Sequence, residues 1–115
     1  MHDLTLVMTG EGQTERMFLM PLISRFINEQ IVPTSEVFPQ VWLDAASGDD
    51  YKRILSFAQQ ASGYSIAVYH FDADTQGVVE TWERRFDLHY NDVKKRPNTH
   101  QSIVAAIPKR STNAL

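Results

Sequence analysis

Residues 64–77 read YSIAVYHFDADTQG, and the fold turns on how this stretch is read. Its centre, Ile66-Ala67-Val68-Tyr69, is apolar at every position. A strand with one face in water alternates apolar and polar residues, whereas a strand covered on both faces does not. Tyr64 to Phe71 is therefore expected to be a strand buried between helices. It runs directly into Asp72-Ala73-Asp74-Thr75-Gln76-Gly77. Beyond that loop, Val78, Trp82, Phe86, Tyr90 and Val93 recur at helical steps. The spacing predicts an amphipathic helix whose aromatic stripe belongs to the core. Lys94-Lys95-Arg96 stands at its end, where cations complement the helix dipole. Pro97-Asn98-Thr99 reads as a turn, and Ser102 to Ile107 as a short strand stopped by Pro108.

The same reading extends upstream. Leu4 to Met8 is a short apolar run that leaves through Thr9-Gly10-Glu11-Gly12, a strand followed by a tight turn. Leu19, Leu22, Ile23, Phe26 and Ile27 then mark one helical face between Thr14 and Gln30, with Pro21 as a kink. Val37 to Leu43 is β-rich, but Pro39 suits an edge strand. Ser47 and Asp49 are cap residues for a helix over Tyr51 to Ala61, which ends at Ser62-Gly63. The order β-α-β-α-β-α-β predicts an α/β domain of three layers, with a mainly parallel four-stranded sheet covered on both faces.

Length and charge narrow the function. At 115 residues the chain is expected to form a single domain, 1–115, large enough for one core. Fourteen acids against eleven bases leave a net charge of −3, which is not the footprint of a passive nucleic-acid coat. An enzyme that meets phosphates through a bound metal is still compatible, because the metal supplies positive charge. The absence of cysteine removes disulfides, thiolate zinc sites and cysteine nucleophiles. No apolar run approaches the roughly 18 residues that span a bilayer, and the start Met1-His2-Asp3 is unlike a signal peptide, so a cytoplasmic location with no membrane partner is expected.

Ligands of open α/β sheets bind at the carboxyl ends of the strands. Two acidic clusters fall there: Glu11 with Glu15 after the first strand, and Asp72 with Asp74 after the third. If those strands are neighbours, the clusters face one crevice, and the carboxylates repel unless a cation holds them. Hard oxygen donors suit Mg²⁺ or Mn²⁺. A plainer alternative is that Asp74 caps the next helix and Asp72 is solvated. Lys109-Arg110, after the fourth strand, is placed to meet a phosphate. Most other basic clusters, Arg84-Arg85 among them, read as solvated helix faces. His70 is a candidate for orienting a carboxylate, while His2, His89 and His100 read as surface residues.

Taken together, Gly10-Glu11-Gly12-Gln13-Thr14-Glu15 after one strand and Asp72-x-Asp74-x-x-Gly77 after a later one resemble the TOPRIM domain of topoisomerases, bacterial primases and OLD-family nucleases. The form Glu-Gly-x-Thr-Glu looks most like the OLD-type and the small stand-alone bacterial TOPRIM-like proteins. The resemblance implies a Rossmann-like fold and Mg²⁺-dependent chemistry on nucleic-acid phosphodiester bonds, with DNA the expected substrate of a nuclease. It assigns Glu11 to acid/base catalysis, Asp72, Asp74 and Glu15 to the metal, and Gly12, Lys109 and Arg110 to phosphate. A partner ATPase or a homo-oligomer is expected to help so small and acidic a chain grip DNA. Gln76 stands where topoisomerase-type members carry another acid, so full topoisomerase chemistry is not expected. The stand-alone relatives usually continue past the fourth strand, so a minimal or shortened member is expected. A degenerate scaffold that binds a partner ATPase or a nucleotide without catalysis is the alternative.

Overall fold

Strands β1 (Leu4–Gly10), β2 (Val37–Trp42), β3 (Ile66–His70) and β4 (Ile103–Ala106) form one sheet in the order β2-β1-β3-β4, and every pair is parallel. The structure is a computed structural model, and it describes residues 4–10, 25, 29, 37–44, 46–71 and 77–107. The α/β class and the parallel sheet agree with the sequence reading. The expected helix over Thr14 to Gln30, and with it the second helical layer, lies outside the described residues apart from Arg25 and Glu29. These two have helical backbone and share an ion pair of 3.1 Å at i,i+4 spacing.

Pro39 lies on an edge strand, as expected of a residue that cannot donate to a ladder. The β1–β2 register shifts between Leu4↔Val37 and Leu6↔Gln40, so β2 carries an extra residue around the proline. Past the shift the pairing is regular. Leu43 N–H donates to Met8 O at 2.8 Å, and Thr9 Oγ1 donates to Leu43 O at 2.6 Å. At the opposite end of the sheet, Ser65 N–H donates to Thr5 Oγ1 at 2.9 Å and ties β3 to β1.

Helix α1 (Asp50–Gln60) begins where Asp49 accepts the Lys52 N–H at 2.9 Å, a side-chain cap at one of the two positions the sequence offered. A second helical rod follows β3 in three unbroken segments: α2 (Val78–Thr81), a π-helical segment (Trp82–Asp87) and α3 (Leu88–Val93). The sequence reading anticipated one uniform helix. Four residues of an α-helix turn through 400°, so positions four apart drift by about 40° per step. The wider π turn counters that drift and keeps Phe86 and Tyr90 on the sheet, both buried. Trp82 is a correction to the expected core stripe. It is 40% exposed, and Thr81 takes the inward place with its hydroxyl donating to Gly77 O at 2.6 Å.

One face of the sheet and these helices share a core of Val7, Ala67, Tyr69, Phe71 and Ile103 with Ile54, Phe57, Phe86, Tyr90 and Val93. Aromatic rings run through it as a ladder. Phe57 meets Tyr69 edge-on at 5.6 Å, Tyr69 stacks on Phe71 at 4.5 Å, Phe71 meets Phe86 at 6.1 Å, and Phe86 meets Tyr90 at 5.0 Å. Such pairs add about 0.5–1.5 kcal/mol each beyond the area they bury. Leu6, Met8, Val68 and His70 alternate onto the opposite face and are also buried.

The ladder ends in a hydrogen-bonded staple. Tyr90 Oη donates to His100 O at 2.5 Å and accepts the Ile103 N–H at 2.9 Å. His100 is buried, a correction to its reading as a surface residue. Its Nδ1 accepts the Ser102 N–H at 3.1 Å, which leaves Nε2 to donate to Tyr64 O at 2.9 Å. Its own N–H donates to Ala58 O at 2.9 Å. The expected turn at Pro97-Asn98-Thr99 is present, with Asn98 in the left-handed region at φ 60°.

Burial holds the Tyr90 phenol above its ordinary value of 10.0, and the hydrogen bond from Ile103 offsets part of the rise. A phenol that stays protonated longer in the folded state contributes stability that is complete below pH 10 and is lost as pH rises through the folded value. Urea titrations between pH 7 and pH 11 are expected to show stability falling above pH 10. Tyr90→Phe is expected to cost about 1–3 kcal/mol at pH 7, by orphaning a buried donor and acceptor, and to flatten that alkaline decline.

Candidate functional site

The carboxyl ends of β1, β3 and β4 lie on one rung. Gly10 pairs with His70, and His70 pairs with Ala106. Phe71 N–H then donates to Ala106 O at 3.0 Å and carries the β3–β4 ladder one residue further. The condition placed on the acidic clusters, that the first and third strands be neighbours, is met. Adjacent strands run about 4.8 Å apart. The chain therefore leaves toward Glu11, Asp72 and Lys109 from three adjacent strand ends.

Glu11, Gly12, Glu15, Asp72, Asp74, Lys109 and Arg110 themselves lie outside the described residues, as does Gln76. Among the described residues no three His, Asp or Glu side chains gather as a metal site would require. The strand pairing brings together Gly10, before Glu11, and His70 and Phe71, before Asp72, with the end of β4 beside them; Gly77 follows Asp74 by three residues and Ile107 precedes Lys109 by two.

Each of these flanks has a physical reason for its identity. A Cβ on Gly10 would stand 2.6 Å from His70 Cβ and 2.9 Å from His70 O, closer than such atoms come. Gly10 is a matter of close backbone approach, and its dihedrals require no special freedom. His70 is 2% exposed at the last position of β3, packed against that bare glycine. Gly77 is different. It is the N-cap of α2 at φ 91° and ψ 175°, a conformation that is essentially glycine's own. Gly77 therefore occupies the N-cap position, while Asp74, the alternative cap, lies outside the described residues.

The donor chemistry suits a hard divalent cation. The acids that follow the two strand ends are all carboxylates, and the chain has no thiol to favour a softer metal. Gly10 leaves no side chain of its own at its rung, and both described βα units start their helices on this edge of the sheet. Helix N-termini there favour anions, phosphate included.

Two charged residues at this edge escaped the sequence reading. Sequence alone puts Arg85 with Arg84 on a solvated face. Arg84 does pair locally with Glu80 at i,i+4 spacing, 3.2 Å apart. Arg85 instead reaches Asp50, the first residue of α1, with contacts of 3.0 and 3.2 Å. A signal was available. Arg85 has Thr81 and His89 four residues away and Trp82 and Leu88 three away, so its helix offers it no acid. With Asp49 committed to capping, Asp50 was the acid left for a distant partner.

A groove of about 260 Å³ lies between the second rod and β4, lined by Val78, Val79, Trp82, Ala105 and Ile107. All five are apolar, so the groove lacks the converging polar groups that orient a small ligand. Among the described residues no helix is long and apolar enough to cross a membrane. Comparison of the chain with protein families, with curated proteins and with solved structures finds no match.

Replacing either flanking glycine tests this edge. Gly77→Ala meets open space but an unfavourable backbone, and is expected to lower stability by about 1–3 kcal/mol in chemical denaturation. Gly10→Ala has no room at all, so it is expected to lose at least as much, and to broaden the amide NMR signals of His70 and Phe71 as the rung shifts.

Proposed function

We propose that this chain is a TOPRIM-like domain that binds Mg²⁺ or Mn²⁺ and acts on nucleic-acid phosphodiester bonds, as a nuclease or the catalytic part of one. The observation that carries the reading is the pairing of Gly10 with His70, which sets the chain segments bearing Glu11 and Asp72 on neighbouring strand ends. Two further facts support it. The sheet is parallel throughout, with both described helices starting on the same edge, and the helix after Asp74 has a glycine at its N-cap.

In this reading Asp72 and Asp74 hold the ion, with Glu15 as a further ligand. An ion held there would supply polarisation of a phosphoryl oxygen and make a bound water more acidic. Glu11 accepts the proton that the attacking water gives up. Gly12 leaves room for a phosphate beside the backbone, and Lys109 or Arg110 steadies that phosphate by charge-assisted hydrogen bonds. The setting is cytoplasmic, the substrate is DNA, and a partner ATPase or self-association supplies the additional grip that an acidic chain of this size lacks.

Thermal unfolding with and without Mg²⁺ and Mn²⁺ tests the reading. A ligand bound only by the folded state stabilises it by about 2.7 kcal/mol at a hundredfold excess over Kd. The midpoint is expected to rise with either ion, and an Asp72→Ala/Asp74→Ala variant is expected to lose that rise. The intact chain is then expected to cleave DNA in the presence of the ion, and the Glu11→Gln variant to bind the ion without cleaving. A chain whose midpoint ignores both ions, and whose double variant is at least as stable as the parent, is a non-catalytic scaffold instead.

A further inference from the structure

Arg85 stands where α1, the exit of β3 and the π-helical segment meet. Its Nε donates to Asp50 Oδ2 at 3.2 Å and its Nη2 to Asp50 Oδ1 at 3.0 Å, a two-point fork. The side chains are only 21% and 24% exposed, so the pair is screened less than a surface ion pair. The guanidinium carbon also lies 5.0 Å from the centre of the Phe71 ring, within range of a cation–π contact. Phe71 is fully buried, stacked on Tyr69, with its N–H held by Ala106 O. The residue that follows Phe71 is Asp72.

We infer that Arg85 is a positioning residue for the acidic segment: anchored by Asp50, it clamps the Phe71 ring and so fixes the direction in which the chain leaves β3 toward Asp72 and Asp74. This rests on the proposed role of those two acids in holding a metal. Arg85 and Phe86 are consecutive, and both touch the Phe71 ring. On a regular helix two consecutive side chains diverge by about 100°. Here they bracket one ring from the widened π turn, a kind of irregularity that is frequent at functional sites. The clamp needs arginine in particular. A planar guanidinium can present a fork to a carboxylate and stack on a ring, whereas a lysine ammonium is a hydrated point charge without that flat surface. The fork also removes most of the arginine's rotamer freedom, so the ring is held by a rigid group.

The test is calorimetric titration of Mn²⁺ into the intact chain, with thermal unfolding in a chelator for each variant. Partners that orient metal ligands typically contribute about 10–100-fold to metal affinity. Arg85→Met is expected to weaken Mn²⁺ binding by a factor in that range, and Arg85→Lys to recover only part of it. Asp50→Asn, which keeps the guanidinium but weakens its anchor, is expected to move affinity in the same direction, and it carries the test if Arg85→Met does not fold. A variant that melts earlier in chelator yet binds Mn²⁺ as tightly as the parent overturns the inference and leaves a purely structural ion pair. If the parent binds Mn²⁺, Asp72→Ala abolishes binding and the Arg85 and Asp50 variants bind normally, the inference fails while the metal site stands. If the parent binds no Mn²⁺, both fall.

Discussion

At the rung where Gly10 faces His70, the backbone carbonyl and the buried side chain of His70 fill the space that one methyl group would need. That approach aligns the ends of β1 and β3. The pairing of His70 with Ala106 carries the alignment on to β4. A parallel ladder transmits register along its length, so a shift at this rung would move every pair back to Leu6 and Ile66. Glu11 and Asp72, two of the acids in the proposed site, follow these strand ends within two residues. The separation of the two strand ends is thus governed by main-chain hydrogen bonds and one steric restriction.

The same edge depends on the aromatic ladder beneath it. Tyr69, Phe71, Phe86 and Tyr90 connect the middle of the sheet to the second helical rod. The π-helical segment is the adjustment that lets the rod follow the ladder, and it has two consequences. It turns Trp82 away from the core, where Ala105 and Ile107 leave an apolar groove. It also turns Arg85 toward Asp50 and Phe71. Packing in the core and the charged clamp at the edge are two outcomes of one irregularity.

Much of this was legible in the chain. The unbroken apolar run before Asp72 indicated a strand buried on both faces, and Pro39 indicated an edge. Asp49 marked a helix start through cap chemistry. Other features were not legible for definite reasons. The periodicity of Val78, Trp82, Phe86 and Tyr90 identifies a helix but cannot distinguish a uniform α-helix from one with a wide turn, so Trp82 looked buried. His100 lies in a polar stretch, Pro97-Asn98-Thr99-His100-Gln101-Ser102, and its burial depends on Tyr64 and Ala58, some forty residues upstream, offering carbonyls at the right place.

By itself the sequence determined the class of the domain, the order of its described strands and helical rods, and which residues follow the strand ends. These depend on local periodicity, on proline's missing N–H and on glycine's missing side chain, all of which act within a few residues. The tertiary structure alone decided that β1 and β3 are neighbours, that Gly10 meets His70, and that Arg85 finds Asp50 rather than an acid on its own helix. Those contacts join residues 35 to 60 positions apart. Their selection comes from burying the apolar faces of one sheet while pairing its backbone groups, a condition on the whole fold that no local pattern expresses.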